Sequence, residues 1–159
     1  VTGFVHKAAT VEKPVAAPTA AGQELGLTDP WGPDAKIAPL FTVDASPEET
    51  LARYVDGSPA VAVRRSETGT DVFVGVPQLT PALVRALSRL AGVHLFTQVD
   101  AAVWAAEPYL SIHAMDAGTV VLNTGQNRPV LDALDGTQLG DGPEVPLNMR
   151  KGETRVLKY

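Results

Sequence analysis

Three histidines, a scatter of carboxylates and a few large aromatic side chains are the groups in this sequence able to do chemistry. His6, His94 and His113 lack the i, i+4 spacing that would put two imidazoles on one helix face, and no H-E-x-x-H occurs. The chain has no cysteine, which removes disulfides, thiolate metal sites and thiol nucleophiles together. Ser46 and Ser58 do not sit in a G-x-S-x-G elbow. Neither G-x-G-x-x-G nor G-x-x-x-x-G-K-[ST] is present, so no loop is built to cradle a phosphate.

Carboxylates leave two readings. Glycoside hydrolysis needs two acids flanking one bond on a rigid frame, and Asp100, Glu107 and Asp116 are candidates placed in or beside turns. Asp132, Asp135, Asp141 and Glu144 crowd another stretch. They miss the D-x-[DN]-x-[DN]-G calcium loop, and Asp135-Gly136 reads better as a hairpin turn. No catalytic residue, metal ligand or cofactor is assigned. The aromatic side chains offer a different chemistry, because an exposed ring stacks on the apolar face of a sugar. Trp104 and Tyr109 are the candidates, joined by His113, which alternates with Ser111 and Tyr109 on one strand face opposite Leu110 and Ile112. Trp31 and Tyr54 could supply such a surface as well, although for all four the commoner use of tryptophan and tyrosine is to bury their apolar bodies at element junctions.

These residues need elements to hold them. In a chain of 159 residues, 45% hydrophobic and 19% charged, a real core is expected. The net charge of -5 supplies no field for a nucleic acid backbone. No apolar run reaches the roughly 20 residues that span a bilayer. The start at Val1 shows no signal-peptide pattern, so a soluble chain is expected and the cytoplasm is the favoured compartment. Without Met at position 1, a processed end and a fragment of a longer chain both stay open.

Residues 1–36 read as a linker or irregular segment with one short strand at Thr2 to Lys7. Leu40 to Asp44 reads as a strand. Ser46-Pro47-Glu48-Glu49 carries the cap, first-turn proline and capping-box acid of a helix start, ended by Asp56-Gly57. Ala60 to Arg64 and Asp71 to Val76 form a hairpin across Ser66 to Gly69. Thr80 to Ala91 is the strongest helix, with Leu83, Val84, Leu87 and Leu90 at helical spacing and Gly92 to stop it. Val93 to Phe96 reads as a buried strand, so residues 37–98 make an α/β portion. From residue 99 to 159 the style is short strands with turn signals: Val103 to Ala106, Tyr109 to Ala114, Thr119 to Asn123, Pro129 to Leu134, Val145 to Met149 and Thr154 to Tyr159. That predicts a small antiparallel β-sheet or sandwich.

Two stretches carry a resemblance. Gln78 to Phe96, with Ala60-Val61-Ala62-Val63-Arg64 and Val72-Phe73-Val74-Gly75-Val76 before it, resembles the closing part of the flavodoxin-like, glutamine-amidotransferase-like domain of β-galactosidase-type bacterial glycoside hydrolases. Val103-Trp104-Ala105-Ala106-Glu107-Pro108-Tyr109 to Ala114, and the ending Lys151 to Leu157, are similar to the small C-terminal β domain of that family. The resemblance covers residues 37–159. It implies a partial flavodoxin-like sheet with flanking helices followed by an all-β domain. In that family the α/β domain serves oligomerisation and the sugar chemistry belongs to a preceding barrel, so no catalytic residue carries over. The expected role is a non-catalytic accessory and assembly segment, whose partner is the remainder of a longer parent protein or another subunit. A carbohydrate-binding β module is the alternative, and a small glycoside hydrolase the third.

Overall fold

The computed structural model describes residues 3–67 and 69–159. They form two compact units, Val1–Leu90 and Ala91–Tyr159. Every strand pairing among the described residues is antiparallel. No helix is long and apolar enough to cross a membrane.

The first unit has two sheets. Strands β1 (His6–Val11) and β3 (Ile37–Val43) pair with each other. The second sheet has the order β2 (Ala17–Pro18), β4 (Thr50–Arg53), β5 (Pro59–Ser66), β6 (Gly69–Val74). Strand β5 buries Ala60, Val61, Ala62 and Val63 in succession, as a strand covered on both faces must. Ala62 packs with Phe4, Val43 and Phe73. Val61 and Val63 join a larger cluster with Leu40, Leu51, Leu83 and Ala86. The short helix α1 (Ala20–Glu24) is capped by Thr19, whose hydroxyl accepts from Gly22 N and donates to Thr50 O at 2.7 Å. Helix α2 (Pro81–Leu90) sets Leu83, Ala86, Leu87 and Leu90 against this core. It ends as expected at Gly92, whose φ of 68° is the left-handed conformation glycine adopts without strain. Val84, expected on the buried face, is 49% exposed.

Four expectations for residues 1–98 are corrected. Residues 8–24, read as irregular, carry most of β1 and all of β2 and α1, and Val11 and Ala16 lie in the core. The strand read at Thr2 to Lys7 begins at His6, and Thr2 lies outside the described residues. The Ser46 helix is absent. Ser46 N donates to Glu49 Oε2 (2.9 Å) and Glu49 N to Ser46 Oγ (3.4 Å), so the capping box closes. It closes one turn, after which Thr50, Leu51 and Ala52 are buried consecutively in β4. Finally, Val93 to Phe96 joins no sheet. Val93 and His94 are exposed, and the segment is held by Asn123 N donating to Phe96 O (2.7 Å) and by the Phe96 ring on Tyr159. With no parallel pair among the described residues and no strand at Val93 to Phe96, the flavodoxin-like reading is not supported. The hairpin read at Ala60 to Val76 is present as β5–β6, although Thr68 of its turn lies outside the described residues.

The second unit is all β. A five-stranded sheet has the order β11 (Gln138–Asp141), β10 (Pro129–Asp132), β13 (Thr154–Lys158), β8 (Tyr109–Ala114), β7 (Ala101–Ala106). A two-stranded sheet pairs β9 (Gly118–Asn123) with β12 (Glu144–Met149). Alternate residues of each bury into one core, including Leu110, Ile112 and Leu157 from the first sheet and Val120, Leu122, Val145 and Leu147 from the second. This alternation, with solvent on the other face, is the small sandwich expected. Only β11 was not foreseen.

Candidate functional site

The face of the five-stranded sheet turned away from that core holds the residues the sequence singled out. Register defines it. Trp104 lies opposite Ser111, and Ser111 opposite Val156; Ala106, Tyr109 and Lys158 make the next row; Ala102, His113 and Thr154 make the third. Directly opposed residues of an antiparallel pair share a face. Trp104 therefore stands diagonal to both Tyr109 and His113, within reach of large side chains. Trp104 is 65% and Tyr109 50% exposed. His113 is half-buried and its Nδ1 lies 2.8 Å from the Thr154 hydroxyl. The structure thus brings all three candidates to one surface. Val156 and Lys158 complete it, and sequence reading missed both because their membership depends on β13 pairing with β8.

The carboxylates are distributed differently. Glu107, at the tip between β7 and β8, accepts from Arg128 Nη2 (3.1 Å) and Gln126 Nε2 (3.4 Å). Arg128 also donates from Nη1 to the carbonyl of Tyr159. Asp116 pairs with Lys151 Nζ at 3.2 Å. Asp100 and Asp116 line a shallow cleft of about 280 Å3 with Thr119 and Val120. The other acids have partners close at hand, and Glu144 accepts from Asn123 Nδ2 at 3.4 Å. Asp132 accepts from Leu134 N, Asp135 from Thr137 N, and Asp141 from Gln138 Nε2. Among the described residues no group of three His, Asp or Glu converges as metal ligands would.

The strongest electrostatics are structural. Arg64 grips Glu49 bidentately, Nε to Oε1 at 2.6 Å and Nη2 to Oε2 at 2.8 Å, and lies 4.4 Å from the Phe4 ring centre. Those hydrogen bonds, with one from Ser46 N, hold the Glu49 carboxyl down at about 2. Glu153 is likewise held at about 2, first by the Arg150 backbone N–H and then by Arg155. Burial, with Asp56 nearby, pushes the Tyr54 phenol up to about 12. His94, read as structural, hydrogen-bonds Asn123 O through Nε2 at 2.8 Å and meets Phe96 edge-on.

No protein-family model matches the chain, and no curated protein matches it in sequence. Among solved structures it is similar to a β-galactosidase from Bacillus circulans sp. alkalophilus, with a TM-score of 0.55 and 17% identity. The likeness covers 99% of this chain and 24% of that one, so the chain spans about a quarter of the protein it matches. At such identity the likeness is one of fold: the chain has a fold found within a bacterial β-galactosidase.

Proposed function

We propose that the chain is a non-catalytic accessory segment of a glycoside-hydrolase-like protein, serving assembly with the remainder of a longer parent or with another subunit. The observation that carries this reading is the fold likeness over 99% of the chain to 24% of a β-galactosidase. In this reading the bond-breaking acids lie elsewhere in the parent. The ion pairs of Glu107 and Asp116 are consistent with structural roles for both. The test compares the parent polypeptide with and without these residues, measuring native mass and hydrolysis of chromogenic galactosides. Deletion should lower the native mass, and the isolated chain should turn over no glycoside. Turnover by the isolated chain that Glu107→Gln abolishes would replace this reading with a small hydrolase.

A second reading rests on the exposed Trp104 and Tyr109 rings beside the polar groups of Ser111, His113 and Lys158. Such a platform suits the weak stacking of a neutral oligosaccharide. Calorimetry with galacto-oligosaccharides should then give heat that Trp104→Ala removes. No heat at millimolar sugar would dismiss it.

A further inference from the structure

Strand β7 is the last strand of its sheet, and its backbone polarity follows from bonds two strands away. Ala114 N donates to Glu153 O and Tyr159 N to Pro108 O, each at 2.9 Å. The even-numbered residues of β8 therefore turn their backbone groups toward β13. Successive residues of an antiparallel strand bond to opposite sides, so Tyr109, Ser111 and His113 bond β7 through the residues opposite them, Ala106, Trp104 and Ala102. The N–H and C=O groups of Ala101, Val103 and Ala105 then point away from the sheet.

Natural edges are blunted by charge, proline, bulges or brevity. The opposite edge of this sheet obeys that rule: β11 has four residues, Gln138 and Asp141 among them, and a register shift against it in β10. Strand β7 has none of these devices. It runs Ala-Ala-Val-Trp-Ala-Ala in unbroken register with β8, and Trp104, Ala105 and Ala106 are exposed.

We propose that this edge is an interaction surface for a second copy of the same strand, the two β7 strands pairing antiparallel about a twofold axis at Trp104. The proposal rests on the assembly reading and deepens it by naming the contact. A twofold axis perpendicular to the sheet keeps both outer faces on one side, so residues of the same parity must meet. Centred on Trp104, the pairing sets Val103 against Ala105 of the second copy as a hydrogen-bonded pair and Ala102 against its Ala106. The two Trp104 side chains form the non-hydrogen-bonded pair, where side chains approach most closely. Ala102 and Ala106, the neighbours of each tryptophan on its own face, leave room for the indoles to stack. One short strand and one indole per copy bury less than the roughly 800 Å2 per partner of a stable complex. The dimer is therefore concentration-dependent.

Sedimentation of the 159-residue chain from micromolar to millimolar concentration should show mass rising from 16.7 kDa toward twice that value. The far-ultraviolet dichroism of coupled indoles should grow in parallel and vanish in Trp104→Ala. Ala105→Pro removes an outward N–H at an exposed position. It should abolish the dimer while leaving the urea midpoint nearly unchanged. Should that variant not fold, Ala105→Lys keeps the N–H, places like charges across the axis and should dissociate the dimer equally. A chain that stays monomeric throughout, or a dimer that survives both Ala105 variants, overturns the proposal. Either result leaves the assembly reading to its own test, the native mass of the parent with and without the segment.

Discussion

Ser46-Pro47-Glu48-Glu49 and Thr80-Pro81-Ala82-Leu83 begin alike, with a hydroxyl residue and a proline suited to the first helical turn. Both hydroxyls cap: Ser46 Oγ accepts from Glu49 N at 3.4 Å and Thr80 Oγ1 from Leu83 N at 3.2 Å. Only the second opens a helix. After Glu49 come three consecutive buried residues, Thr50, Leu51 and Ala52, two of which pair across to Ala62 and Val61 of β5. After Pro81 the buried residues are Leu83 and Ala86, with Leu87 and Leu90 packed beside them. Three successive buried positions fit a strand covered on both faces, whereas spacing of three and four fits one face of a helix. A cap permits a helix; the burial pattern that follows decides it.

The comparison breaks most readily at the helix core. Leu83 is fully buried, so Leu83→Ala should lower unfolding free energy by about 2–5 kcal/mol in urea melts. If it cost no more than loss of the Thr80 hydroxyl, capping rather than packing would hold α2, and the argument would reverse.

The next effect concerns what closes the Ser46 turn instead of a helix. Arg64 binds Glu49 bidentately, donates to Asp44 O and Gly3 O, and stacks on Phe4. The Glu49 carboxyl is held at about 2 in the fold against an ordinary 4.5. A folded value below the unfolded one favours the fold above pH 4.5, and that contribution is lost as pH falls toward 2. Acid titration of stability should show this loss in the natural chain. Arg64→Gln should flatten part of it while lowering stability at neutral pH. The remaining slope belongs in part to Glu153, also held at about 2. An unchanged acid limb in Arg64→Gln would show that Arg64 does not control this turn.

How far these patterns could be read from sequence differs by element for the same reason. Tyr109 to Ala114 alternates strictly, and β8 has those bounds. That alternation also put Tyr109, Ser111 and His113 on one face in advance. Trp104 joins them through the β7–β8 register, a property of the pairing and not of the strand. Gln138–Asp141 has a single large apolar residue, so β11 is a strand only because β10 pairs with it. Val93 to Phe96 misleads in the opposite way: it has strand-like residues but no ladder, and Phe96 is drawn toward Tyr159. Parallel and antiparallel pairing, on which the flavodoxin-like reading depended, are fixed by distant partners. The free edge of β7 likewise depends on strand order, to which local pattern is blind.

The two caps supply the smallest and most direct contrast. Thr80→Ala removes the acceptor for Leu83 N at the start of a ten-residue helix, and should cost about 1 kcal/mol. Ser46→Ala removes a longer bond from a turn otherwise held by Ser46 N donating to Glu49, by Thr50 Oγ1 donating to Ser46 O at 2.7 Å, and by Arg64. The first two remain in the alanine variant because one uses the backbone N–H and the other the carbonyl of residue 46. Its cost should be a few tenths of a kcal/mol, as for a surface change away from any buried network. Paired urea melts of the two variants measure the difference. Equal losses would mean that the Ser46 hydroxyl is as necessary to its single turn as the Thr80 hydroxyl is to its helix. A clear excess for Thr80 would leave β4 positioned by its buried residues and by Arg64, with the serine only completing the turn.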